Sequence, residues 1–240
     1  MGVYRTRSIY KTPGVYRSGV YASGLYGHED TVTIGGRTYK TVKIGDQVWL
    51  AENLDFVFDG LVVGQGASSS EPRANYYNND ESTYGWSGLK YGLLYNWIAV
   101  KYLEDHKSEL MPGWHVPASS EWGELATAVG GTAVAGTKLK STTGWASGNG
   151  DGSYGFEAFP AGYQDSGSFN GLGSNASFWT ATESSSSNAY LRRFYMDASM
   201  YSLNHNKSRG YSVRLVKDSP LPLLGGPLLG SPNAEATDGE

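Results

Sequence analysis

The chain has 240 residues, of which 39% are hydrophobic and 18% charged, with a net charge of −4 and no cysteine. Those values exclude disulfides, thiol nucleophiles and cysteine-ligated metal centres, and they argue against a nucleic-acid partner, which needs a basic surface. The 33 glycines and 18 tyrosines favour strands, turns and irregular loops carrying aromatic side chains with polar tips.

Residues 1–30 read as a separate arm. Tyr4, Tyr10, Tyr16, Tyr21 and Tyr26 recur in a unit of the type GVYRSGVYASGLYG, too short for a core of its own. Such a segment is either extended or completes itself on a neighbouring chain as a docking or oligomerisation element. MGVYRTRSIYK lacks the apolar run of a secretory leader. No stretch reaches the roughly 20 apolar residues of a bilayer span, so a soluble chain without membrane insertion is expected.

From Thr31 the pattern alternates. TVTIGGRTYKTVKIGDQVWLAENL predicts successive hairpins turning at Gly35-Gly36 and Gly45-Asp46, with Val42, Ile44, Val48 and Leu50 on one buried face. Residues 59–90 read as loop, and Asp55, Asp59, Asp80 and Glu81 read as turn and solvation residues. LLYNWIAVKYL (93–103) has helical spacing. A second helix follows Pro117, with Ser119 or Ser120 as cap and Glu121 in its first turn. Trp122, Leu125, Ala126 and Val129 form its apolar stripe, and Gly130-Gly131 ends it. Short strand-like pieces separated by glycine lead to RGYSVRLV, and residues 219–240, rich in Pro, Gly and Leu, read as a tail.

Between Phe178-Trp179 and Val213-Leu215-Val216 lie about thirty residues crowded with Ser, Asn, Tyr, Arg and His. A segment this polar and aromatic between two apolar rails reads as a displayed surface rather than a core.

Seven motifs in order carry a resemblance: IGDQVWLAENL (44–54), YGLLYNWIAV (91–100), MPGWHVPASSEW (111–122), KLKSTTGW (138–145), GFEAFPAGY (155–163), FWTATE (178–183) and GYSVRLVKD (210–218). They resemble the Fibrobacter succinogenes major paralogous domain family, over residues 31–218. The resemblance implies an α+β, C-type lectin-like domain with two helices, short antiparallel strands and long irregular loops. Six tryptophans within the motifs, Trp49, Trp97, Trp114, Trp122, Trp145 and Trp179, are expected in the core. Some family members are targets of diversity-generating retroelements, and there the segment before the final strand is variable. By that resemblance Asn188, Asn204, Asn206 and Lys207 look like template positions. Tyr190, Leu191, Arg193, Tyr195, Asp197, Tyr201, Leu203, His205 and Arg209 are the candidate ligand-binding face.

The implied function is non-enzymatic recognition of a cell-surface protein or glycan receptor. The chain would be the tip adhesin of a phage tail fibre in a virion, working as a homo-oligomer such as a trimer. The alternatives are an exported bacterial surface adhesin or a carbohydrate-binding lectin of the same family. An enzyme resembling the formylglycine-generating proteins is disfavoured, because that chemistry runs on cysteines. Of the four histidines, His28, His106, His115 and His205, no three are placed together, and His115 reads as structural. No cofactor is expected. Glu71-Pro72-Arg73 and Trp179-Thr180-Ala181 depart from the oxygen-rich calcium cage of lectins, which leaves Glu183 and Asp165 as single candidate calcium ligands.

Overall fold

Turn chemistry builds the first sheet. β1 (Thr31–Ile34), β2 (Arg37–Ile44) and β3 (Gln47–Leu50) are antiparallel, joined at Gly35-Gly36 and Gly45-Asp46 as the alternation predicts. Gly35 has φ +57, and a Cβ there would lie 2.0 Å from the Phe56 ring, so both backbone and space demand glycine. The computed structural model describes residues 31–219, and the arm of 1–30 and the tail from 220 lie outside the described residues.

The shared face expected for Val42, Ile44, Val48 and Leu50 is corrected by register. Val42 pairs with Trp49 and Ile44 with Gln47, so a side of β2's even positions continues in β3's odd ones. Val42, Ile44 and Trp49 pack together in one hydrophobic cluster, whereas Leu50 and Val48 belong to the other.

The middle of the chain is less regular. Strands β4 (Val62–Val63), β5 (Arg73–Asn75) and β6 (Leu94–Tyr95) make a small sheet, interrupted by a 3-10 turn at Tyr77–Asn79 and by α1 (Glu81–Tyr84). Asp80 caps α1 by accepting from the Thr83 N–H. α2 (Trp97–Asp105) starts at Asn96, whose side chain accepts from the Ala99 N–H. After α3 (Lys107–Leu110) and β7 (Trp114–His115) comes α4 (Ser119–Ala128). Ser119 is inside this helix rather than its cap. The Glu121 carboxylate reaches back to the Ala118 N–H at 2.8 Å and satisfies one of the free donors there. α5 (Thr132–Leu139) precedes β8 (Ala161–Asp165), β9 (Ser168–Leu172), β10 (Ala176–Glu183), β11 (Asn188–Phe194), β12 (Met200–Asn206) and β13 (Val216–Lys217).

The α+β, C-type lectin-like class with two helices is corrected by this architecture. Three sheets dominate, in the orders β1-β2-β3-β13-β7, β12-β11-β10-β8-β9 and β4-β5-β6, and helix makes up only about 20%. Five α-helices occur among the described residues, not two, and β8–β10 and β4–β5 are parallel pairs. The spacing read along 93–103 and 119–131 does find α2 and α4. TAVAGTKL of α5 hides behind a glycine and β-branched residues, which weaken the helical signal. Asp55 is corrected as well: it is fully buried and accepts from Arg37 at 3.1 Å and from the Tyr76 hydroxyl at 2.8 Å, so it is no solvated turn residue.

The six motif tryptophans are buried as expected. Trp49 and Trp122 meet at 4.9 Å beside Phe156 and Phe178. Trp97 and Trp179 use their indole N–H groups to hold the carbonyls of Thr180 and Tyr95, at 2.9 and 2.8 Å. His115 is structural too. Its ring bonds Glu121 at 2.8 Å and Asp218 at 2.6 Å, tying the start of α4 to the end of the last strand.

Arg214, from the last motif, is likewise a charged residue with no exposed surface. Its guanidinium donates to Asn53 Oδ1 at 2.9 Å and to the carbonyls of Leu50, Phe156 and Glu157 at 2.8, 2.5 and 2.6 Å. It also lies over the Phe156 ring at 4.6 Å. Burial pushes its pKa down to about 9, which leaves it cationic at neutral pH. Replacing Arg214 with Met strands the buried carbonyls of Leu50 and Phe156 and the part-buried one of Glu157. This should cost about 3–5 kcal/mol in urea unfolding, in the range for breaking a buried charged network. Arg214→Lys should recover only a minor part, because an ammonium cannot span acceptors that a guanidinium fork reaches. Near-wild-type stability of Arg214→Met would contradict this assignment.

Candidate ligand-binding face

β11 and β12 are the last two strands of the second sheet, and β12 is its edge. Their antiparallel register pairs Ala189 with His205, Leu191 with Leu203 and Arg193 with Tyr201. Side chains alternate along each strand, so these three pairs share one face, while Tyr190–Asn204, Arg192–Ser202 and Phe194–Met200 share the other.

The structure sorts the nine candidates by depth. Leu191 is 0% exposed and packs in the core, so no ligand on this face can touch it. Tyr190 faces away from the rest. Arg193 is only 6% exposed: its Nε donates to Ser177 Oγ at 2.7 Å, and its guanidinium lies over Tyr163, Tyr211 and Tyr195 at 5.0, 5.4 and 5.7 Å. It is a platform beneath the face rather than a contact residue. Tyr195 meets Tyr201 edge to face at 5.3 Å, and the Tyr201 hydroxyl donates to Asp197 at 2.8 Å. Tyr201 is 38% exposed, and Leu203 and His205 follow it along the same side, half-buried. Arg209 closes the strip, 3.1 Å from His205 and ion-paired with Asp165 at 2.8 Å.

Seven of the nine therefore form one continuous strip: Arg193, Tyr195, Asp197, Tyr201, Leu203, His205 and Arg209. Composition alone missed its underlay, Tyr163 and Tyr211, which lie in the motif segments rather than in the unusual stretch. Met196, 44% exposed at the loop tip, was missed as well. The two acidic residues considered for calcium are engaged by cations, Asp165 by Arg209 and Glu183 by Lys207.

His205 is held neutral. Burial, then the Arg193 and Arg209 charges, push its pKa down to about 4. Nδ1 then accepts from the Tyr211 hydroxyl at 2.5 Å and from Arg209, which places the ring proton on Nε2.

The loop 195–199 joining the strands is gripped by its main chain. Lys140, 2% exposed, sends its ammonium to the carbonyls of Tyr195 and Asp197 at 3.1 and 2.7 Å, with Trp145 4.8 Å beneath. The N–H groups of Gly136 and Thr137 at α5 bond the Ala198 carbonyl at 2.7 and 3.3 Å. Gly148 lets the Met196 carbonyl approach so closely that a Cβ would stand 1.8 Å from it. At the other end, the N–H and carbonyl of Gly210 pair with those of Gln164, both at 2.9 Å. Lys207 bonds the Ser186 carbonyl at 2.8 Å over the Trp97 ring. None of these bonds depends on which side chain occupies positions 195–198.

Residues 42–217 match the family model of the Fibrobacter succinogenes major domain, and the chain belongs to that family. No curated protein and no solved structure matches it. No helix among the described residues is long and apolar enough to cross a membrane.

The depressed His205 pKa has a pH consequence. An unfolded histidine titrates near 6.5, so between about 6.5 and about 4 the unfolded chain binds a proton that the folded one refuses. Stability should therefore fall as pH drops through that window, and His205→Asn should flatten that part of the profile. An unchanged slope in the variant would show that His205 titrates normally.

Proposed function

We propose that this member of the Fibrobacter succinogenes major domain family is a recognition protein without catalytic activity, and that the β11–β12 strip binds a receptor on a cell surface. The supporting observation is the separation of roles at the hairpin. The buried Lys140 and Gly136, with the half-buried Thr137, bond its main chain, and Gly148 leaves room for the Met196 carbonyl, while Met196, Asp197 and Tyr201 project from it. A hairpin held in this way keeps its shape when its side chains change, as rigid scaffolds do for binding loops. That is the property needed of a surface diversified from copy to copy, and a retroelement-type diversification of 186–209 fits it.

The exposed chemistry suits recognition of a protein or glycan. Tyr195 and Tyr201 bring large rigid surface at low entropic cost, and Asp197 and Arg209 add hydrogen-bonding groups. A homo-oligomer, such as the trimer of a fibre tip, would multiply a modest single-site affinity. The location that accords with the sequence reading is the tip of a phage tail fibre, with the exported bacterial adhesin as the other setting for the same site.

A triple variant tests this directly: Met196→Ala, Asp197→Ala and Tyr201→Ala together. Labelling of receptor-bearing cells should be lost, with a melting temperature within about 2–4 °C of the parent, because exposed positions typically contribute little to stability. Retained labelling would remove the strip from the binding role. A large fall in melting temperature would show that these side chains are structural. Arg193 is left intact, since its removal would collapse the tyrosine platform.

A further inference from the structure

A cleft of about 880 Å³ lies away from the hairpin and contains no residue from 188–209. That size falls within the roughly 300–1,000 Å³ of small-molecule sites. Five non-glycine residues among those described have positive φ: Asn78, Asn79, Lys90, Glu157 and Ser166. Asparagine enters this region readily, whereas long charged side chains enter it at a cost. Lys90 (φ +57) and Glu157 (φ +54) are the two charged ones, and both line this cleft.

Each is held in place by the fold. The Glu157 carbonyl accepts from Arg214 at 2.6 Å, while its carboxylate has no hydrogen-bond or ion-pair partner among the described residues. The Lys90 ammonium bonds Glu52 Oε1 at 3.3 Å and lies 4.7 Å over the Trp86 ring. The second Glu52 oxygen is fixed by the Lys40 N–H at 2.9 Å, which leaves a carboxylate oriented before any ligand arrives. Gly144, Gly152 and Gly155 bring bare main chain to the rim, and the rings of Tyr91 and Phe159, 5.8 Å apart, form an apolar wall.

We propose that this cleft is a second ligand site, for a neutral saccharide of one or two rings. Its two carboxylates, Glu52 and Glu157, are balanced by Lys40 and Lys90, so it has no net charge to recruit an ion. It offers fixed acceptors, donors and an aromatic wall together, which match the hydroxyls and the C–H face of a pyranose. Glu157, held in the left-handed region, adds to the lining a carboxylate with no hydrogen bond of its own among the described residues. Gly at this position would relax the backbone and keep the Arg214 bond to the residue 157 carbonyl.

The test is an amide-shift titration of the full chain with cellobiose, lactose and N-acetylglucosamine at millimolar concentrations. At least one should give saturable shifts at 88–91, 143–144 and 152–159. Glu157→Gln should weaken that binding about tenfold, the loss typical of a hydrogen bond to a charged group. Glu157→Gly should abolish binding while leaving the melting temperature unchanged or higher. The proposal fails if none of the three sugars shifts these amides, if the shifts map to β12 instead, or if Glu157→Gly lowers stability and leaves sugar binding intact. No hairpin residue lines the cleft, so failure of sugar binding here leaves receptor recognition by the strip untouched, whereas shifts on β12 would assign the sugar to the strip.

Discussion

Arg214 carries the constraint that organises this molecule. A chain with so much irregular backbone cannot satisfy its buried carbonyls through sheet ladders alone, and each unsatisfied one is expensive. One guanidinium serves three of them, at Leu50, Phe156 and Glu157, and so joins the first sheet to the loop ahead of the second. The rings of Phe156 and Phe178 cover its flat faces and make the buried charge tolerable. The same solution recurs elsewhere on a smaller scale. Asn53 and Asn96 bond carbonyls in the middle of the chain, Trp97 ties α2 to the second sheet, and Trp179 ties the second sheet to the third. Polar side chains do the work that regular hydrogen-bond ladders do in a more orderly fold.

Lys140 applies this rule at the hairpin. By bonding the carbonyls of Tyr195 and Asp197 it fixes the path of the hairpin tip without reading its side chains. Shape and chemical identity become separate properties of one segment. The hairpin is nevertheless not free throughout. Leu191 and Phe194 belong to the two cores, and Arg193 spaces three tyrosine rings. The positions whose side chains are free of the core are therefore those of the loop and the exposed side chains of the edge strand.

Much of this was legible in the sequence where local chemistry decides the outcome. Gly35-Gly36 and Gly45-Asp46 mark their hairpins, the stripe from Trp122 to Val129 marks α4, and the tryptophans mark the core. The resemblance through seven motifs identified the family, although the class inferred from it was not the mostly β architecture found. Register was not legible from alternation: which of Val42 and Val48 faces which core depends on cross-strand pairing. The depth of Leu191 and Arg193 was also hidden, because their neighbours are polar and only packing from Tyr163, Trp179 and Tyr211 buries them. Asp55 misled for the converse reason. It stands next to a loop-like segment, yet Arg37, Tyr39 and Tyr76 enclose it.

Saturation mutagenesis of residues 188–209, read out by protease resistance of the displayed chain, examines the separation of frame and face across the whole segment. Broad tolerance is expected at Met196, Asp197, Tyr201, Asn204 and Asn206. Sharp intolerance is expected at Leu191, Arg193, Phe194, Met200 and Lys207, and at Lys140 as an external control. Uniform intolerance along the segment, or tolerance at Lys140 together with a preserved hairpin, would contradict the idea that the framework holds this surface by its backbone.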